Sequence, residues 1–144
     1  MSDVFLKKLH ESVKTPILEH EGDAGFDLYA FEDVTLKPFE RKLIATGLMI
    51  ALPQNMEAQV RPKSGLALNH GVTLLNTPGT IDSSYRGEIK VLMINLGDKK
   101  FVVKKNTKIA QIVFNEIKRP KIIEVKELDD TSRGTGGFGS TGLE

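Results

Sequence analysis

Asn76-Thr77-Pro78-Gly79-Thr80-Ile81-Asp82-Ser83-Ser84-Tyr85-Arg86-Gly87-Glu88 runs without a break into Ile89-Lys90-Val91-Leu92-Met93-Ile94-Asn95-Leu96. Turn residues open the stretch, and Pro78-Gly79 predicts a tight bend through proline's fixed φ and glycine's tolerance of φ > 0. Asp82, Tyr85 and Arg86 follow at once, ahead of a β-rich run. A turn of this kind holds backbone N–H and C=O groups in fixed directions, which suits reading a flat polar ring by main-chain hydrogen bonds. Taken alone it is equally an ordinary hairpin with a solvated aspartate. In the run that follows, Ile89, Val91 and Met93 point one way while Leu92, Ile94 and Leu96 point the other. An antiparallel strand with one wet face alternates apolar with polar, and this one does not.

Outward from there the chain keeps a strand-and-turn rhythm: short segments rich in Val, Ile, Leu and Phe, separated by Gly, Pro, Asn or Asp. The expected strands are 3–9, 26–31, 34–37, 41–51, 56–60, 72–75, 88–96, 100–103, 107–116 and 121–127. Only Ser64-Gly65-Leu66-Ala67-Leu68-Asn69-His70-Gly71 reads as a helix, of about two turns, with Ser64 as N-cap and Gly71 as the C′ residue. The prediction is an all-β, jelly-roll-like sandwich or barrel with one short helix. The run 107–116 repeats the two-faced pattern, with Ile109 and Val113 opposing Ala110, Ile112 and Phe114. Second subunits covering those faces predict a homo-oligomer with β-rich interfaces.

With 144 residues the chain fits one domain with a core that needs no staples. A net charge of +1 points away from a nucleic-acid partner. Cysteine is absent, which excludes disulfides, thiolate catalysis and cysteine-ligated zinc. His10, His20 and His70 are scattered, without metal-ligand spacing. No apolar run reaches the length of a signal peptide or a membrane span. These features predict a soluble, cytoplasmic protein with no membrane partner.

Arg61-Pro62-Lys63-Ser64-Gly65 leads into the short helix, so two cations, a hydroxyl and a glycine meet where free N–H groups favour an anion such as phosphate. The bland counterpart is a charged loop with a structural cap. After Leu128 the apolar rhythm stops, and residues 129–144 form a glycine- and hydroxyl-rich tail that buries too little to order itself. Gly134, Gly136 and Gly139 fit G-x-G-x-x-G, yet no strand precedes them and no βαβ chain follows, so a dinucleotide fold is not implied. A flexible lid and a frayed terminus both fit that composition. No Walker A sequence and no Ser-His-Asp or His-Glu-x-x-His arrangement is present.

Five stretches, in order, are Ala24–Ala30, Arg61–Ala67, Gly79–Glu88, Lys108–Val113 and Arg133–Ser140. At these spacings they closely resemble the five motifs of the trimeric deoxyuridine triphosphatases (dUTPases), across residues 22–142. The resemblance implies a jelly-roll-like homotrimer with active sites shared between subunits. It implies Mg²⁺-assisted hydrolysis of dUTP to dUMP and pyrophosphate, which keeps uracil out of DNA and supplies dUMP for thymidylate synthesis. Uracil reading would fall on the main chain of Thr80, Ile81 and Lys90, with the Asn76 amide assisting. Tyr85 would pack under deoxyribose, and Asp82 would orient and activate the attacking water. Lys63, Ser64, Gly65 and Gln111 would contact phosphate, with Arg61 in support. Arg133, Phe138, Ser140 and Thr141 would belong to a lid spanning 129–144, beyond a β domain of residues 1–128. Asp27 would lie near the metal–triphosphate and reach Mg²⁺ through water, with no direct protein ligand. Ser84, Lys63 and Lys108 depart from commoner family residues, Asp at the first position and Arg at the other two. The alternatives implied by the shared fold are a dCTP deaminase relative and a non-catalytic trimeric scaffold.

Overall fold

The computed structural model describes residues 2–144. Ten strands and one helix occur among them: β1 (Phe5–Lys8), β2 (Phe26–Tyr29), β3 (Val34–Leu36), β4 (Arg41–Ala51), β5 (Met56–Arg61), α1 (Ser64–His70), β6 (Val72–Leu74), β7 (Gly79–Ile81), β8 (Ile89–Asn95), β9 (Phe101–Val103) and β10 (Lys108–Glu116). Two four-stranded antiparallel sheets, ordered β1-β4-β8-β6 and β2-β10-β5-β7, are joined by a β3-β9 ribbon. Neighbours in each sheet are mostly non-consecutive in sequence, which is the crossover pattern of a jelly-roll-like β fold. One core fills the space between the sheets. Ile44, Leu48, Val91 and Met93 come from the first, and Leu28, Ala58, Ala110 and Ile112 from the second.

Strand periodicity explains most of this. In β8, Ile89, Val91 and Met93 are buried, and the fourth inward position is Asn95, also buried. Asn95 is tolerated there because its amide donates to the carbonyls of Leu36 and Lys99 and accepts from the Gly97 amide. Its outward residues Leu92 and Ile94 are half-buried, and Leu96 just beyond is 54% exposed.

β10 behaves differently from the expectation of a partner-covered face. Ile109 and Val113 are buried within the one chain, as are Ala110 and Ile112. A register shift between Lys108 and Ala110 turns Ile109 into the core, and a Cβ on Gly25 would lie 3.2 Å from Val113, so the segment before β2 covers that face.

Three local expectations are also corrected. Ser64 is the first helical residue, and the N-cap position belongs to Lys63, which is extended and makes no side-chain cap. Gly71 does take the left-handed conformation, at φ 67°, and its N–H closes the helix onto the carbonyls of Ala67 and Leu66. Pro78 enters its bend through a cis Thr77–Pro78 bond, and Gly79 has no positive φ but begins β7. The missed strand β7 pairs with β5, so Asn76–Glu88 is no hairpin: the chain leaves the first sheet after β6, forms the edge of the second, and returns as β8 beside β6. Residues 121–127, expected as a strand, form none and are exposed.

Candidate active site

The excursion between β6 and β8 encloses a cleft of about 250 Å³ lined by Asn76, Gly79, Thr80, Ile81, Asp82, Tyr85, Glu88 and Lys90, with an apolar wall from Leu43, Val60, Leu74 and Leu92. β7 is an edge strand, so one side of its backbone has no ladder partner. Unpaired edge N–H and C=O groups are a ready template for a ligand with matching donors and acceptors. Thr80 is exposed between buried Gly79 and Ile81. Lys90 is exposed on β8, in register with Ala45 of β4.

The loop after β7 is tied by its own residues. The Tyr85 amide donates to the Asp82 carbonyl at 3.1 Å, and Arg86 donates to the carbonyls of Ser83 and Tyr85 at 2.7 and 3.0 Å. The Tyr85 hydroxyl donates to the Glu88 carbonyl at 2.9 Å. Its ring lies so close over Gly87 that any Cβ there would collide with it. The ring is 46% exposed and borders the cleft, as does the exposed carboxylate of Asp82. A carboxylate and an aromatic ring therefore sit on one turn that is tied by its own hydrogen bonds.

A second, polar cleft of about 300 Å³ is lined by Glu19, His20, Asp23, Ala24, Gly25, Asp27, Lys63, Lys108 and Gln111. Asp27 on β2 is its centre, with a side chain 9% exposed. Lys63 Nζ lies 2.6 Å from Asp27 Oδ1, and Lys108 Nζ lies 3.1 Å from Oδ2 and 3.0 Å from Glu19 Oε2. Burial pushes the Asp27 carboxyl up, but hydrogen bonds from Lys63 and Lys108, with their charges, outweigh it and hold it below the usual aspartate value. Lys108 is pushed up, first by its hydrogen bond to Glu19 and next by that to Asp27. Gln111 donates to the Pro62 carbonyl at 3.1 Å, which fastens β10 to the loop carrying Lys63. Arg61, in register with Gln111, turns to Gln59 Oε1 at 2.8 and 3.0 Å. Ser64 and Gly65 follow Lys63 as the first turn of α1, and neither lines either cleft.

The structure thus brings together Asp27, Lys63 and Gln111 in one cleft and Asn76, Thr80, Ile81, Asp82, Tyr85 and Lys90 in another. It does not join the two, which share no lining residue. Nor does it bring Arg133, Phe138, Ser140 or Thr141 to either. Residues 131–142 form successive turns whose hydrogen bonds stay within the segment, such as Arg133 Nε to the Gly136 carbonyl at 2.9 Å, and the Phe138 ring is fully exposed. Glu19 and Glu88 went unremarked in the sequence. Glu19 lies 89 positions from Lys108, and nothing local marks the pairing.

Among the described residues no group of three or more His, Asp or Glu could hold a metal ion. Both Asp27 oxygens are occupied by ammonium groups. A divalent cation carried on a polyphosphate would reach Asp27 only through water or by displacing one of those ammonium groups.

The sequence model of the dUTPase family matches residues 11–142. The deoxyuridine 5'-triphosphate nucleotidohydrolase of Clostridium kluyveri is 61% identical over 140 residues, 97% of this chain and 98% of that protein. The protein of the same name from Clostridioides difficile is 56% identical over 143 residues, 99% of this chain and 100% of its own. Among solved structures, a dUTPase of Staphylococcus bacteriophage 80alpha with dUpNHpp superposes with a TM-score of 0.92 at 23% identity, covering 99% of this chain and 100% of that one. A mutant dUTPase of phage phi11 of S. aureus, whose structure reveals the coordination of a structural Mg(II) ion, superposes with a TM-score of 0.82 at 21% identity, covering 89% of this chain and 99% of that one.

Proposed function

The chain belongs to the dUTPase family, and from that premise we propose how its residues carry out the reaction, the hydrolysis of dUTP to dUMP and pyrophosphate. The observation that carries the reading is the grouping of distant motif residues into a flat-ring cleft with a carboxylate and a cationic cleft with Lys63 and Gln111.

Uracil enters the first cleft and is read by the free edge of β7 at Thr80 and Ile81 and by the main chain at Lys90, with the Asn76 amide assisting. A base with the wrong donor pattern leaves buried groups unpaired, which can cost about 10⁴–10⁵ in selectivity. Tyr85 packs under the deoxyribose and leaves no room for a 2′-hydroxyl. Asp82 accepts the proton of a water whose oxygen bonds to the α-phosphorus. The bridging P–O bond breaks as that bond forms, and pyrophosphate leaves with the electron pair. Lys63, Ser64, Gly65 and Gln111 hold the phosphates, and Arg61 supports the loop through Gln59. Asp27 would hold, through water, a Mg²⁺ carried on the triphosphate, and that ion would supply neutralisation of phosphate charge. Residues 129–144 close over the phosphates, Arg133 pairing with an anion, Phe138 stacking, and Ser140 and Thr141 donating to phosphate oxygens.

Because the two clefts are separate within one chain, each complete site takes one cleft from each of two subunits of a homotrimer. Exposed Leu43, Leu75 and Leu96 supply apolar surface for that contact. The test is pyrophosphate release from dUTP, dCTP, dTTP and UTP, each with and without Mg²⁺. Rapid, Mg²⁺-dependent release from dUTP alone is expected. Release of ammonia from dCTP, or no turnover by an intact trimer, overturns the reading.

A further inference from the structure

β4 does not pair with β8 along its whole length. Ala45 faces Lys90 and Leu48 faces Ile89, so Thr46 and Gly47 have no partner on β8. This bulge lies against Glu88, Ile89 and Lys90, which line the flat-ring cleft. Bulges concentrate beside active sites, where they re-aim neighbouring groups.

Its polar groups are satisfied by specific partners. The Ala45 amide donates to Glu32 Oε1 at 3.0 Å, and the Ala45 carbonyl accepts from the Phe31 amide at 2.8 Å. The Gly47 carbonyl accepts from the Leu9 amide at 2.8 Å. Two bonds link the bulge to residues 88 and 89, and a third ties Thr46 to its own strand. The Thr46 hydroxyl, buried at 2% exposure, donates to the Ile89 carbonyl at 2.5 Å and accepts from the Leu48 amide at 3.3 Å. The Gly47 amide points to Glu88 Oε2 at 3.4 Å. Gly47 sits at φ 73°, with Val13 packed where a Cβ would be, so the bulge is locked from behind as well. The Glu88 carbonyl is also the acceptor for the Tyr85 hydroxyl.

We propose that Thr46 is a positioning residue for the substrate cleft. Its hydroxyl fixes the Ile89 carbonyl, and through residues 88–90 it sets both the Tyr85 ring that excludes a 2′-hydroxyl and the main chain at Lys90 that reads the base. The proposal rests on the roles given above to Tyr85 and Lys90. Thr46 lies outside the five stretches and lines neither cleft.

The experiment compares wild type with Thr46→Val, which keeps the shape and removes the hydroxyl, and with Thr46→Ser, which keeps the hydroxyl. Values of kcat and KM are measured for dUTP and UTP, with thermal unfolding alongside. Valine lowers kcat/KM for dUTP about tenfold, the scale of one lost buried hydrogen bond, and narrows the dUTP-to-UTP preference severalfold. Serine stays within about twofold of wild type on both. A folded valine variant with unchanged kcat/KM and preference, whatever its melting temperature, overturns the proposal, as does a serine variant equally impaired. Glu32→Ala loosens the bulge from its solvent side, away from the cleft, and narrows the preference about twofold. An unchanged preference there overturns the proposal even where the valine variant does not fold. A wild-type protein without dUTP turnover overturns both this and the functional reading, whereas an active wild type with unaffected variants overturns this alone.

Discussion

Asp27 is a nearly buried carboxylate whose two oxygens each meet a lysine, and the partners are not equivalent. Lys108 is also claimed by Glu19, whereas among the described residues Asp27 is the only acidic partner of Lys63, which fits the phosphate role proposed for Lys63. The depressed folded-state pKa of Asp27 fixes the sign of a stability effect. A carboxyl held low contributes stability that is present above its unfolded value, about 3.9, and is lost as pH falls through the folded one. Asp27→Asn is therefore expected to cost about 1 kcal/mol at pH 7 and less at pH 3, as the pH falls toward the lowered folded-state value. Urea midpoints of both proteins at the two pH values check this, and an equal deficit at each contradicts the pairing. The sequence made Asp27 and Lys63 visible through their motifs, but not their contact. Glu19 had no motif at all, and its role exists only because the segment before β2 folds across β10.

At the scale of elements, the long strands were legible because β4 and β8 lie where the apolar runs are, although burial alternates regularly only along β8 and is broken at the bulge of β4. β7 was hidden because three residues inside a turn-rich stretch carry no period, and only its ladder with β5 makes it a strand. Residues 121–127 have the composition of a strand, yet a strand also needs a neighbour, and this chain offers none to Ile122, Ile123 and Val125, which stay exposed. The glycine-rich tail was legible as a segment without a core, since its hydrogen bonds remain local. Deleting residues 131–144 removes no buried side chain, so the melting temperature should move by no more than about 2 °C, as expected for removal of exposed residues. If the tail is the lid, kcat for dUTP falls at least about a hundredfold in the same protein, because phosphate-charge stabilisation and water exclusion are both lost. Normal turnover by the truncated protein would reassign 129–144 to a frayed terminus.

For the whole molecule, residues of the first four motifs divide between two clefts on opposite flanks of β5, and the fifth lines neither: β7 borders one side of that strand and β10 the other. No reading of spacing could reveal this partition, because motifs adjacent in order need not be adjacent in space. On the proposal that a dUTP molecule lies between two copies of the chain, with one cleft from each, the arrangement can be tested by mixing two inactive proteins. Asp82→Asn disables the flat-ring cleft, and Lys63→Ala disables the cationic one; each homotrimer alone should be inactive. Unfolded together and refolded as mixed trimers, they juxtapose an intact cleft of one kind with an intact cleft of the other at roughly one interface in four, by random assembly around a ring. Activity should therefore return to about a quarter of the wild-type value, and it should rise with the mixing ratio to a maximum at equal parts. If both clefts of one chain served the same substrate, every site would carry a lesion from its own subunit. The mixture would then stay as inactive as its components.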